Sequence, residues 1–290
     1  MTDFSIIIGD VRKRLKDLQS ESVDCVITST PYWAQRDYGH KDQIGIEQTP
    51  QEFVDKLSCA FDEVSRVLKP SGTCWINIGD TYSRSGGATR KPRHWDGRKD
   101  SVMSLKDINQ SKSIGIPPKN MIGVPWMFAF EMRDNHGWYL RQEYPWIKTN
   151  PTPDPTNDRP QTQIERFFLF SKQERYYFDV DAANRYAGKS MWRNGDGILF
   201  FMTSVASNES LGHAVFPVEL VAPMILASCP VGGTVLDPFS GSGSTGVAAI
   251  FSDVNYVGIE LVEKEAQWSM ARLKEIKEEV DLKKAQMSFL

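Results

Sequence analysis

Two short stretches of this chain hold residue types that could do chemistry. The first is "STPYW", Ser29 to Trp33, at the end of the apolar run "VDCVIT". A hydroxyl, a proline and two large aromatics are poor material for an ordinary turn, because they leave ring surface near water. Something must sit against them. The second is "VLDPFSGSGSTGVAA", which contains G-x-G-x-x-G at Gly241, Gly243 and Gly246. The pattern alone is a weak signal. Here it follows a strand-like run ending in Asp237, opens a helix-like run, and has an acid, Glu260, about 20 residues on. Glycines let the backbone approach a flat or anionic ligand, and a carboxylate can accept both hydroxyls of a ribose. The stretch therefore reads as a nucleoside-binding turn. No Lys follows the last glycine, so it is not a phosphate P-loop.

The elements that must position these stretches alternate between strand and helix. "FSIIIGD" reads as a strand ending at Gly9 and Asp10, and "SVDCVIT" as a second. "TPQEFVDKLSCAFDEVSRVLKPSG" is the clearest helix: Thr49 as N-cap, Pro50 at its first position and Glu52 completing a capping box. Phe53, Leu57, Phe61, Val64 and Leu68 recur at helical spacing, and Pro70 and Gly72 end it. "TCWINIG" reads as a buried strand, "IGVPWMFAFEMRDNHGWYLRQEYPWIK" as a helix through Phe130 and a strand from Trp138. "ERFFLFSK" and "RYYFD" are strand-like, "FPVELVAPMILASC" an apolar helix and "NYVGIEL" a strand. A long charged helix runs from about Val262. This alternation predicts an α/β fold with a mostly parallel sheet. Residues 80–120 and the segment from Val180 to about Gly212 lack periodicity.

Composition bounds the class. The chain has 290 residues with 40% hydrophobic and 24% charged, ordinary globular usage, and a formal net charge of −3. No apolar run is long enough to span a membrane, and "MTDFSIIIGDVRKR" has only a very short apolar stretch, so neither a membrane span nor a secretory signal is expected. Cys25, Cys59, Cys74 and Cys229 are scattered without C-x-x-C, and His40, His94, His136 and His213 show no ligand spacing; no metal site is expected. A cytosolic protein with reduced thiols fits. The net charge argues against a polyelectrolyte, but "RSGGATRKPRHWDGRK" carries Arg84, Arg90, Lys91, Arg93, Arg98 and Lys99 against one acid. Alone, that run is a solvated loop; beside a nucleic-acid site it is a phosphate clamp.

On these residues the chain resembles the amino-methylating DNA methyltransferases. "DPFSGSGST" matches that family's S-adenosylmethionine loop, D-P-F-x-G-x-G-x-T, and "STPYW" is similar to its catalytic tetrapeptide, S/D/N-P-P-Y/F/W. The catalytic stretch precedes the cofactor stretch, which is the β permutation of the family. "GD" at Gly9 and Asp10, "FPVEL" at Phe216 to Leu220 and "GIEL" at Gly258 to Leu261 fall where the family has cofactor-contact motifs. The resemblance implies a Rossmann-like S-adenosylmethionine-dependent methyltransferase fold, with a mostly parallel sheet covered by helices on both faces and a small target-recognition insertion. It divides the chain into a catalytic half (1–79 and 121–171), a mobile basic insertion (80–120), a target-recognition region (172–212) and a cofactor-binding half (213–290).

The resemblance also assigns roles. Ser29 Oγ and the Thr30 carbonyl accept from an exocyclic amine, Pro31 stiffens the turn, and Tyr32 stacks on a base that has left the helix. Asp10, Asp237, Phe239, Gly241, Ser242, Gly243, Thr245 and Glu260 line the cofactor. Trp33, Arg36, Arg84, Arg90, Lys91, Arg93, Trp192, Arg193 and Asn194 contact DNA, with Arg36 and Asp37 as an ion pair beside the pocket. Thr30 departs from the family's proline and leaves the turn less rigid. A first-position Ser is the pattern of the cytosine-N4 group, so the implied reaction is N4 methylation of cytosine in double-stranded DNA; adenine N6 is the alternative. A non-catalytic nucleic-acid-binding protein keeping the fold is a further one, and the paired motifs argue against a nicotinamide-dependent reductase. Cytosine C5 methylation needs a Cys, typically in Pro-Cys; only the reversed Cys229-Pro230 occurs. The implied setting is restriction–modification in a bacterial, archaeal or phage-infected cytoplasm, with a cognate nuclease as functional partner and the enzyme a monomer or homodimer.

Overall fold

In a computed structural model of the chain, residues 2–84, 114–151, 156–187, 202–203 and 216–287 are described. The strands are β1 (Phe4–Ile8), β2 (Val23–Ser29), β3 (Leu68–Ile78), β4 (Tyr139–Lys148), β5 (Ile164–Ser171), β6 (Met202–Thr203), β7 (Thr234–Asp237) and β8 (Asn255–Glu260). The helices are α1 (Val11–Arg14), α2 (Pro50–Val67), α3 (Val124–Asn135), α4 (Val180–Ala187), α5 (Val218–Ser228), α6 (Ser244–Phe251) and α7 (Glu263–Met287). Among the described residues the strands form one sheet in the order β1-β8-β7-β2-β3-β5-β4-β6. The first five run parallel, β5 is antiparallel to both of its neighbours, and β6 pairs parallel with β4. This is the expected Rossmann-like α/β architecture.

Central strands buried on both faces read as continuous apolar runs, and they divide their side chains between two cores. Cys74, Ile76 and Ile78 of β3, with Phe168 and Phe170 of β5, face the core under α2 and α3. Trp75, Phe167 and Leu169 point the other way, into the core under α5 and α6. The capping box of α2 is present: Thr49 Oγ1 accepts from Glu52 N at 3.1 Å, and Glu52 Oε2 accepts from Thr49 N at 3.2 Å. No helix among the described residues is long and apolar enough to cross a membrane.

Three local expectations change. Pro70 and Gly72 do not trail off after α2 but lie inside β3, which starts at Leu68 in a stretch where the β2–β3 register shifts. The bulge is where a strand tolerates a proline. "RYYFD" is not a strand: Tyr177 N bonds to Ser71 O of β3 at 2.8 Å and Asp179 N to Ala227 O of α5 at 2.7 Å, single bonds to two different elements rather than a ladder. Val180 onward forms α4, which Asp179 caps by accepting from Ala182 N at 2.9 Å. The basic insertion leaves and returns at one stem, where Ser83 N bonds to Asn120 O at 2.8 Å and Lys119 N to Ser83 O at 2.9 Å.

The sheet order places the site. From β2 the chain winds through α2 to β3; from β7 it winds through α6 to β8 in the opposite direction. The crevice outside the carboxyl ends of β2 and β7 is thus a topological switch point, where open α/β sheets bind ligands. One carboxylate pins the two strands. Asp237, 2% exposed at the end of β7, accepts from Thr28 Oγ1 of β2 at 2.6 Å, from Thr245 Oγ1 of α6 at 2.7 Å and from Phe239 N at 3.1 Å. Burial pushes its pKa up to about 6, although the three hydrogen bonds pull the other way. The folded protein therefore holds this proton more tightly than the unfolded chain, and the group's contribution to stability falls as pH rises from the ordinary carboxylate range through about 6. Asp237→Asn removes the titration. Urea unfolding of both proteins at pH 4 and pH 7 should show wild type losing about 2 kcal/mol relative to the variant across that interval. An equal stability difference at the two pH values would refute the assignment.

Candidate active site

The corner after β2 is built around a residue that the local sequence does not single out. Asn77, buried at the end of β3, lies opposite Ser29 in register. Its Oδ1 accepts from Ser29 Oγ at 2.9 Å and, as the longer branch of a bifurcated bond, from Tyr32 Oη at 2.8 Å, and its Nδ2 donates to Arg166 O at 3.1 Å. Its backbone carbonyl takes both Thr30 N at 3.0 Å and Thr30 Oγ1 at 3.3 Å. Thr30 supplies two tethers to one oxygen, and a proline there would supply neither. The residue expected to loosen the turn is held by hydrogen bonds instead.

The Tyr32 ring lies over Gly79, where an added Cβ would come within 2.3 Å of the ring. That glycine is required by close approach. The phenol donates to Glu165 Oε2 on β5 at 2.6 Å, and Glu165 Oε1 pairs with Lys148 Nζ on β4. Burial, then the neighbouring Glu165 charge, push the Tyr32 pKa well above the usual phenol value. Trp33 corrects an expectation: it is 1% exposed within the core, and its Nε1 donates to Glu47 O at 2.9 Å. A side chain so enclosed packs and braces the loop; it has no face to offer DNA.

The glycine turn follows β7 directly. Gly241 and Gly243 adopt φ of 50° and 76°, in the left-handed region that favours glycine. At Gly243 a Cβ would also meet Ser269 Oγ at 2.2 Å. Glu260 locks the turn: Oε2 accepts from Gly241 N and Oε1 from Val262 N, each at 2.8 Å. Burial raises its pKa despite these bonds. Each oxygen keeps acceptor capacity for a ligand hydroxyl. Ser242 Oγ and Ser269 Oγ are buried with no hydrogen-bond partner in the protein. Orphaned hydroxyls beside a glycine turn fit a polar ligand that completes them. Phe239 is half-buried against Phe61, with ring centroids 6.5 Å apart.

Asp10 caps α1 and is tied to Arg12, whose N and Nε donate to Oδ1 at 3.0 and 2.9 Å and whose Nη2 donates to Oδ2 at 2.7 Å. Burial raises its pKa, but the Arg12 hydrogen bonds and charge outweigh that and leave it lowered. Gly9 N donates to Glu260 O at 2.8 Å, which joins the Asp10 turn to the cofactor half.

On the DNA side, Arg36 lies close enough to act electrostatically on the phenols of Tyr32 and Tyr38, while Asp37 Oδ1 closes a local turn by accepting from Gly39 N at 2.8 Å. Arg84 sits at the stem of the basic insertion. Arg90, Lys91, Arg93, Trp192, Arg193 and Asn194 lie outside the described residues. Cys25 and Cys74 are buried, with thiol pKa values pushed well up by burial, and burial raises Cys229 to about 12. None of the three is poised as a thiolate nucleophile. Among the described residues no group of three or more His, Cys, Asp and Glu is placed to hold a metal.

The site can be set beside known proteins. A family model for DNA methylases of the N6/N4 type matches residues 23–271. The Type II methyltransferase M.XycI of Xanthomonas campestris pv. cyanopsidis is 40% identical over 253 residues, 87% of this chain and 82% of that protein. M.SmaI of Serratia marcescens is 40% identical over 268 residues, 92% and 90% of the two chains. Among solved structures, the cytosine-N4-specific PvuII DNA methyltransferase superposes with a TM-score of 0.65 at 20% identity, covering 96% of this chain and 92% of that one. A putative DNA modification methylase of Thermus thermophilus, solved with S-adenosyl-L-methionine, gives a TM-score of 0.61 at 23% identity over 95% and 96%. The structural likenesses establish the fold; the family match and the relatives establish the family. The crevice between β2 and β7, with its hydroxyl–proline–aromatic corner on one strand and its glycine turn on the next, thus belongs to a member of the N6/N4 DNA methylase family, an S-adenosylmethionine-dependent DNA methyltransferase.

Proposed function

We propose that this enzyme methylates the exocyclic N4 of cytosine in double-stranded DNA, with the target base turned out of the helix. The observation that carries the reading is Ser29: a neutral hydroxyl at the tip of β2, one strand from the glycine turn and held on Asn77. The cytosine-N4 specificity of the PvuII enzyme, which shares the fold, is consistent with it.

The lone pair of an exocyclic amine is delocalised into the ring, so the nitrogen is a poor nucleophile. Ser29 Oγ and the Thr30 carbonyl accept its two hydrogens and favour the pyramidal, nucleophilic form. A neutral hydroxyl suits cytosine, whose neighbouring N3 is itself an acceptor. Tyr32, braced on Gly79 and Asn77, stacks on the base. Pro31 keeps the corner stiff, and fixed geometry supplies much of the rate. S-adenosylmethionine supplies the electrophilic methyl group. Asp10, Phe239, Gly241, Ser242, Gly243 and Glu260 hold that cofactor, and Asp237 and Thr245 hold the turn that presents it. Arg36 and Arg84 contact DNA phosphates at the rim, with Arg90, Lys91, Arg93, Trp192, Arg193 and Asn194 extending that surface. The Type II relatives point to a role in restriction–modification alongside a cognate nuclease.

Two measurements test this. Unmethylated DNA treated with the enzyme and cofactor, digested to nucleosides and analysed by mass, should contain N4-methyldeoxycytidine; N6-methyldeoxyadenosine as the product would overturn the cytosine reading. Ser29→Ala should lower kcat by about 10²-fold, because it removes an acceptor whose bond strengthens as charge develops on nitrogen. An unaltered kcat would remove Ser29 from the chemistry.

A further inference from the structure

Glu165 and Lys148 form an ion pair on neighbouring strands at the active-site corner, with side chains only 18% and 16% exposed. A partly desolvated pair is costly to keep for stability alone, and this one ends a cluster of hydroxyls gathered at the corner. Ser29 Oγ and Tyr32 Oη converge on one oxygen, Asn77 Oδ1, at 2.9 and 2.8 Å, and Tyr32 Oη donates to Glu165 Oε2 at 2.6 Å. Lys148 Nζ holds the other carboxylate oxygen. Asn77 Oδ1 lies beside both hydroxyls and fixes them.

We propose that Glu165 is the terminal proton acceptor of the methyl transfer, reached from the target amine through Ser29 and Tyr32. The inference rests on the reading that Ser29 faces the amine. When the amine nitrogen uses its lone pair to bond the methyl carbon, the carbon–sulfur electrons stay on sulfur and the nitrogen carries the positive charge. One N–H bond then breaks and its electron pair returns to nitrogen. The Ser29 hydroxyl turns from Asn77 Oδ1 to the neighbouring Tyr32 Oη, and the amine proton passes to Ser29 Oγ as the Ser29 proton moves to Tyr32 Oη and the Tyr32 proton moves to Glu165 Oε2. Serine and tyrosine end as they began, and the carboxylate becomes a carboxylic acid that releases its proton to water at the site's partly exposed edge. Burial keeps the Tyr32 phenol neutral, so the three transfers are concerted rather than routed through a phenolate.

The charged and titratable groups around Glu165 are Lys148 from β4, Tyr32 and the nearby Arg36 from the corner after β2, Arg166 beside it on β5 with its ion-pair partner Glu143 on β4, and Asp80, which lies within electrostatic reach of Arg166. The test compares wild type, Glu165→Gln and Tyr32→Phe in single-turnover and steady-state transfer to unmethylated DNA, with cofactor affinity measured by calorimetry. Both variants should lower kcat by about 10²-fold, with KM for DNA and cofactor affinity within about twofold of wild type. The wild-type rate should fall on acidification and show a solvent deuterium isotope effect, and both signatures should be absent in Glu165→Gln. A Glu165→Gln rate within about threefold of wild type, or one that keeps the acid limb, overturns the proposal. Wild-type kcat in Tyr32→Phe overturns it independently, should the Gln variant not fold. The base modified by wild type, identified in the same samples, tests the cytosine reading separately. An adenine product overturns that reading and leaves the variant comparison intact.

Discussion

The buried carboxylate of Asp237 is the constraint on which the rest depends. It ends β7, yet two of its three hydrogen bonds come from elsewhere, one from β2 and one from the helix that follows the glycine turn. A carboxylate with so little solvent is stable only if its lone pairs are filled from the protein. Filling them here fixes the distance between the strand that carries Ser29 and the turn that carries Gly241 and Gly243. Methyl transfer needs the amine nitrogen and the sulfonium methyl in line, and small errors in such alignment are expensive. The Asp237 ties are the physical form of that requirement: their partners lie 209 and 8 residues away in sequence and adjacent in space.

A second hub, Asn77, does for the corner what Asp237 does for the crevice. Its carbonyl accepts both polar groups of Thr30, and its side chain holds Ser29 and Tyr32. The corner is therefore rigid without the first proline of its family's tetrapeptide. Backbone ring constraint and side-chain hydrogen bonding are interchangeable solutions to one problem, which on the proposed function is the aiming of two acceptors at a base.

Much of this was legible in the residues. The glycine turn, the acid after it, the capping box of α2 and the strand–helix alternation are local patterns with local causes, and each stands where the spacing put it. What escaped were features set by pairing between distant strands. Asn77 reads as one polar residue in an apolar strand, and nothing near it marks its position opposite Ser29. Glu165 and Lys148 meet only because β4 and β5 run antiparallel beside β3. Trp33 reads as an open aromatic wall because its neighbours in sequence are site residues, but the loop turns its ring into the core under α2. "RYYFD" has strand composition but forms no ladder, since its backbone bonds go singly to Ser71 of β3 and Ala227 of α5. Pro70 and Gly72 carry a helix-stop signal that is correct, and they sit in a strand because a bulge receives them.

The most direct test of the central claim is a double-mutant cycle in urea unfolding at pH 7 with Thr28→Val, Thr245→Val and the pair. If one carboxylate joins the two segments, each single change should cost about 1–3 kcal/mol, and the pair should depart from additivity by about 1 kcal/mol or more. Additivity within about 0.5 kcal/mol would show that the two threonines act independently and would contradict the account.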